Sequence, residues 1–188
     1  MEIDDKSLTL FLMGCMTETF QRTIKATDLH MVPGTIQRGL KKDGLKYLEI
    51  IAGTAQRSRV DIFVYADGTR SPIFAMNIVS TLDSDEIGRL HLNFFDVLRA
   101  LQEVRLAGFE QTRINISKNK KYSLFDIPAH KQPAPVGKGG HSGSFHYSES
   151  VENELDFFGG GEEIFFLPDA SGKSKSLVFR SQIQGCRL

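Results

Sequence analysis

Residues 46–106 read KYLEIIAGTAQRSRVDIFVYADGTRSPIFAMNIVSTLDSDEIGRLHLNFFDVLRALQEVRL. Within this stretch the apolar period changes from two to roughly three and a half, which marks strands giving way to a helix. Tyr47-Leu48-Glu49-Ile50-Ile51 is a short β-rich run closed by Gly53. In the next run Val60, Ile62 and Val64 point one way, while Arg59, Asp61, Phe63 and Tyr65 point the other. Asp67-Gly68 tolerates positive φ at both residues, the strongest short hairpin signal. Pro72 opens a third strand, Ile73 to Val79, which is apolar on both faces and so belongs in a central or covered position. Asp83-Ser84-Asp85-Glu86 with Gly88 reads as a loop, and Leu90-His91-Leu92 as a short strand. Asn93 then caps a helix with Asp96 in its first turn. Phe94, Val97, Leu98, Leu101 and Val104 form its apolar stripe, and Gly108 supplies a stop.

Working outward, residues 1–45 admit two readings. Leu8, Leu10 and Leu12 alternate as in a strand, whereas Leu8, Phe11, Leu12, Cys15, Thr19 and Phe20 share a helical face. Pro33-Gly34 and Lys41-Lys42-Asp43-Gly44 mark turns. The segment is expected to be an arm or first layer on a core unit spanning 46–127. Beyond the helix, Arg113–Ser117 and Tyr122–Phe125 read as a basic hairpin around Lys118-Asn119-Lys120-Lys121. Residues 128–148, rich in Pro and Gly, read as a flexible linker. Residues 149–188 comprise an acidic segment, 149–163, with Val151, Leu155 and Phe158 at helical spacing, and a terminal strand pair. No internal repeat is visible. The expected fold class is α+β: an antiparallel sheet covered by an amphipathic helix, with an N-terminal arm and a tethered C-terminal segment.

The chain has 188 residues, enough for one sizeable core. Its 23 Lys and Arg balance 23 Asp and Glu, so only charge placement can argue for a polyanionic partner. Two cysteines, Cys15 and Cys186, are too few for a disulfide framework and read as free thiols. No apolar run approaches the ~20 residues needed to span a bilayer. Glu2, Asp4 and Asp5 carry the wrong charge for a signal peptide. The expected location is therefore intracellular and soluble, cytoplasmic or nucleoid, with no membrane partner. The terminal Cys186-Arg187-Leu188 resembles a peroxisomal address, but three residues match too easily to carry weight.

Catalytic signatures fail one by one. Gly172-Lys173-Ser174 ends like a phosphate-binding loop, but Leu167 stands where the first glycine belongs and no helix follows. His141-Ser142-Gly143-Ser144 lacks the second glycine of a nucleophile elbow. His130, His141 and His146 lack metal-ligand spacing, and His91 stands alone. Asp61, Asp67, Asp83, Asp85 and Glu86 are explained by strand, turn and loop, and no Glu-x-Lys triplet follows Asp61 on a strand. No catalytic residue, metal or cofactor is assigned, and the chain is expected not to be an enzyme.

What remains is an aromatic and basic strand face. Arg57, Arg59, Phe63 and Tyr65 project together, Tyr47 heads the neighbouring strand, and Lys41, Lys42, Lys46 and Arg70 flank them. Arg113, Lys118, Lys120, Lys121 and Tyr122 of the basic hairpin would extend the track. Cations that follow phosphates and rings that stack on bases are what single-strand binding requires. The unit resembles single-stranded nucleic-acid-binding domains of the positive-cofactor-4-like, Whirly and PUR type. These place four antiparallel strands before a helix, and in the first of them the last strand enters the helix through an Ile-Ser-Leu-Asn-like turn. Gly88-Arg89-Leu90-His91-Leu92-Asn93 before Phe94–Val104 is similar to that turn, and Tyr47–Ile51 and Arg59–Tyr65 look like the first two strands. The resemblance implies binding of single-stranded DNA or RNA, a homo-oligomer and no catalysis. On its tether, the acidic 149–163 segment would compete for the face or recruit a basic protein partner. The alternative is a structural or protein-interaction subunit of a larger assembly, and both stay open here.

Overall fold

In the computed structural model, which describes residues 3–25, 34–54, 56–118, 120, 143–168 and 174–188, the alternating run around Ile62 becomes an inner strand of one large sheet. The elements are α1 (Asp5–Lys25), β1 (Gly34–Lys42), β2 (Leu45–Gly53), β3 (Arg57–Ala66), β4 (Pro72–Leu82), α2 (Ser84–Arg89), α3 (Phe94–Ser117), β5 (Ser144–Glu154), β6 (Phe157–Leu167) and β7 (Ser176–Arg187). The seven strands are antiparallel in the order β1-β2-β3-β4-β7-β6-β5. The chain is therefore α+β, with a central β4 as its two-sided apolar character requires.

Both long helices lie on one face of the sheet. Leu8, Leu12 and Met13 of α1 pack on Tyr47, Ile62, Val64, Phe74 and Met76. Val97, Leu101 and Val104 of α3 pack on Phe145, Ile164, Phe166 and Phe179. The helical reading of the N-terminus thus prevails over the alternating one, because Phe11, Cys15 and Thr19 are buried along with Leu8 and Leu12. The tightest hairpin is not at Asp67-Gly68. Asp43 (φ 54°) and Gly44 (φ 74°) join β1 to β2 with both residues left-handed. In the longer β3–β4 loop only Gly68 (φ 79°) is left-handed.

Five local expectations are corrected. The 83–86 loop is the start of α2, where Asp83 accepts a bond from the Glu86 amide at 2.9 Å. Leu90–Leu92 is a turn, not a strand, with His91 at φ 51°. Asn93 caps α3 as expected, accepting from the Phe95 amide at 2.9 Å, but Gly108 does not end it. The buried stripe continues through Gly108, Phe109, Thr112 and Ile116, so Arg113–Ser117 is helix and no basic hairpin forms there. The acidic segment is a strand pair instead of a tethered helix, because the glycines at 159–161 sit inside β6 where it presses against β7. Glu162 is fully buried within it, so the segment is built into the sheet and is not free to compete for a face. Element bounds accordingly cross the expected domain boundaries: β5 begins at Ser144, inside the 128–148 stretch, whose residues before 143 lie outside the described ones.

The register discloses a duplication that the sequence hides. Tyr47 opposes Val64 and Glu49 opposes Ile62; adding 100 to each number gives Tyr147 opposite Ile164 and Glu149 opposite Glu162. The β3–β4 ladder shifts register at Val64/Tyr65, and the β6–β7 ladder shifts at Ile164/Phe165. Phe74 and Ile78 oppose Val64 and Val60, as Phe179 and Ile183 oppose Ile164 and Gly160. Ile78 then pairs with its own counterpart Ile183, while Phe74 pairs with Arg187 and Leu82 with Phe179. A local twofold axis therefore passes between Ile78 and Ile183. The chain is two α-then-β halves fused into one continuous sheet.

Candidate nucleic-acid interface

Because α1 and α3 cover the face carrying Tyr47, Ile62 and Ile164, the side chains of opposite parity project from the other side of the sheet. No described helix covers that second face. On β3 it carries Arg57, Arg59, Phe63 and Tyr65, in the alternation read from the sequence. The Phe63 and Tyr65 rings are tilted by 42° with centroids 6.5 Å apart, and both are partly exposed. Lys46, paired with Tyr65 across the ladder, holds its Nζ 6.0 Å from the Tyr65 centroid. Lys41, next in the same row on β1, forms an ion pair with Asp67 at 2.8 Å. The hydrogen bond from Lys41 lowers the Asp67 carboxyl below its ordinary value.

Much of the positive charge here is already matched. Arg59 holds Asp61 at 2.9 Å, and the Asn77 amide donates to the same carboxylate at 2.7 Å. Lys42 is 4.0 Å from Asp43 at the hairpin tip. Lys46, Arg57 and Arg70 form no ion pair with any described residue.

The structure brings Lys41, Lys46, Phe63 and Tyr65 together, with Lys42 and Arg70 at the adjoining turns; Arg59 and Arg57 share the face but lie ~20 and ~26 Å from Tyr65 along β3. It removes Tyr47. That residue is fully buried on the helix side, where its hydroxyl donates to Glu49 at 2.9 Å; burial and the neighbouring carboxylate raise its pKa. The misplacement has a physical source: Glu49, charged yet buried in the same row, breaks the apolar parity of β2. Arg113, Lys118 and Lys120 are exposed, but at the C-terminal end of α3 in the helix layer, on the far side from Tyr65. Lys121 and Tyr122 lie outside the described residues.

A second aromatic patch escaped the sequence reading. Phe165 is the counterpart of Tyr65, and His146 opposes it as Lys46 opposes Tyr65. Lys175 Nζ stands 4.4 Å from the Phe165 centroid. The run Ile164-Phe165-Phe166-Leu167 is apolar throughout, so only the register tells which ring faces outward. Between the patches lies a polar depression of about 300 Å³ with Gly160 and Gly161 in its floor and Ser148, Ser150 and Gln182 around it. Arg180 and Glu163 close it as an ion pair at 2.8 Å.

Among the described residues no group of three or more His, Cys, Asp or Glu could hold a metal ion. His130 and His141 lie outside them. No helix of the described residues is long and apolar enough to cross a membrane. Cys15 is buried, which pushes its thiol up to about 12, and Cys186 is half-buried opposite Ala75 on the open face. Comparison of the chain with protein-family models, with curated proteins and with solved structures finds no match.

Proposed function

We propose that the helix-free face binds single-stranded nucleic acid without catalysis. The observation that carries this reading is the repeated pairing of an outward ring with a cation, Tyr65 with Lys46 and Phe165 with Lys175. A ring offers its π-face to any base, and a lysine beside it offers a phosphate contact, so the combination is tolerant of sequence. Of the resemblance to positive-cofactor-4-like, Whirly and PUR domains, the strands β2, β3 and β4 ahead of α3 remain, whereas its last strand, Leu90–Leu92, is a turn and α2 precedes the helix.

The two patches lie on opposite sides of the local twofold. At ~3.3 Å per residue along the strands and ~4.8 Å between them, Tyr65 and Phe165 stand about 36 Å apart along a diagonal of the sheet. A single strand engaging both would cross β4 near Asn77 and β7 near Gln182, at the rim of the polar depression. Stacking outweighs charge in this arrangement, because Arg59, Lys41 and Arg180 spend their charge on neighbouring carboxylates.

The test is titration with labelled single-stranded and duplex oligonucleotides at low and moderate salt, read also by a fluorophore on Cys186. Single strands are expected to bind better than duplex. With about three phosphate contacts, log affinity should fall with log salt at a slope of only about −2. Phe63→Ala and Tyr65→Ala should each weaken binding by ~1–3 kcal/mol for every stacked base lost. Absence of binding even at low salt would defeat the reading.

A second reading, a subunit of a larger assembly, rests on the sheet edges: β1 and β5 each have a ladder partner on one side only among the described strands. An edge of unpaired amides and carbonyls is a template for a strand from another chain, including a second copy. The oligonucleotide titration separates the two, and sedimentation of the free protein measures whether the edges pair, since the resemblance behind the first reading also implies a homo-oligomer.

A further inference from the structure

On the side away from the proposed nucleic-acid face, α1, α3 and the inner rows of β2–β4 enclose a cavity of about 470 Å³. Packed cores keep few voids larger than a water molecule, whereas sites for small organic ligands occupy ~300–1,000 Å³. The floor is buried and apolar, with Ile62, Ile78 and Phe109 between 1% and 3% exposed. The mouth is marked by Ile36 and Phe95, 43% and 47% exposed, and by the exposed Arg99.

The lining charges decide the ligand class. Arg105 is paired with the buried Glu162 behind the wall. Arg38 donates to the Thr19 carbonyl at 3.0 Å and stands 4.0 Å from Glu49, whose carboxylate also receives the Tyr47 hydroxyl. Arg99, on the first turns of α3, forms no ion pair with a described residue. Every charge on the wall therefore has a counter-charge except the cation at the mouth.

We propose that this cavity binds an amphipathic monoanion, a medium-chain carboxylate with its aliphatic chain on the Ile62/Ile78/Phe109 floor and its carboxylate at Arg99. Burial of the chain supplies affinity, and the guanidinium fixes which end enters first. A neutral alcohol of the same length would lose the charged contact, and an alkylammonium would meet like charge. The site is formed from the opposite side of the sheet and does not depend on the nucleic-acid reading.

Calorimetric titration of the full chain with decanoate, decan-1-ol and decylammonium, all far below micelle formation, tests this. Decanoate is expected to saturate one site, with decan-1-ol weaker by at least about tenfold, the worth of a charged hydrogen bond. Arg99→Gln, at an exposed position, should bring decanoate down to the decan-1-ol level and leave decan-1-ol unchanged. Ser80→Phe, which fills the cavity from β4, should abolish both, and retention of cooperative unfolding shows that the variant is folded. The proposal is overturned by non-saturable decanoate uptake, by equal affinities for decanoate and decan-1-ol, or by indifference to Arg99→Gln.

Discussion

Glu162→Ala is expected to cost about 3–5 kcal/mol of folding stability, the usual penalty for stranding the partner of a buried charge. Both carboxylate oxygens are saturated. Arg105 Nε donates to Oε1 at 3.0 Å and its Nη2 to Oε2; the Tyr147 hydroxyl adds a bond to Oε1 at 3.0 Å and Ser181 Oγ one to Oε2 at 2.6 Å. Glu162 is 0% exposed and the Arg105 side chain 9%, so truncation strands a buried guanidinium and takes its acceptor from the Ser181 hydroxyl, while the Tyr147 hydroxyl keeps Glu149 at 3.3 Å. Burial by itself would raise the Glu162 carboxyl, but the Arg105 charge and the hydrogen bonds prevail and hold it below its ordinary 4.5. The contribution is thus fully present above the unfolded value and is lost as pH falls through the lower folded value. The stability gap between wild type and Glu162→Ala should be constant near neutrality and narrow under acid. The double variant Arg105→Met/Glu162→Met should recover most of the loss, because replacing both members of a buried pair by apolar groups is often neutral. Urea midpoints at unchanged m-value measure all three. A loss below about 1 kcal/mol for Glu162→Ala would show that the pair is not insulated from solvent.

The same cluster explains why the duplication is illegible. At the counterpart positions, Glu162 is matched by Ile62 and Ser181 by Met76, while Tyr47/Tyr147 and Glu49/Glu149 are retained. One half closes its core with apolar side chains and the other with an ion pair, so few identities remain for sequence comparison to find. Legible features were those set by local rules. The Arg59–Tyr65 alternation, the Asn93 cap and the apolar character of β4 each follow from a few adjacent residues, and each stands in the structure. The errors arose where a distant partner overrides the local signal. Gly108 remains helical because its neighbours Phe109 and Val104 pack on other elements, and the acidic 149–163 run is strand because its two arms pair with each other and the second also with β7. The candidate face divides in the same way: its β3 half could be read from alternation, whereas Phe165 and Lys175 belong to it only through the fold.

Phe158→Ala should match the loss of Glu162→Ala, at about 3–5 kcal/mol, but for a packing reason that a second substitution can expose. The ring is fully buried and stacks on Phe74 with centroids 5.9 Å apart at 13°, bridging β6 and β4 across β7. It can do so only because the intervening position is glycine. A Cβ at Gly185 would lie 2.2 Å from Phe158 Cζ, 2.6 Å from its Cε1 and 2.9 Å from the Ala75 carbonyl oxygen. Gly185→Ala in the wild-type background must therefore displace the ring or the strand, at a cost of ~1–3 kcal/mol. In the Phe158→Ala background the ring is gone, and the added methyl enters the space it leaves; only the approach to Ala75 remains. The two losses should accordingly fall short of additivity by ~1–2 kcal/mol, within the range for residues in contact. Strict additivity in denaturation midpoints would mean that the Ala75 backbone, and not the Phe158 ring, sets the glycine requirement. A shortfall would establish that the stack across the twofold demands the absence of a side chain at Gly185.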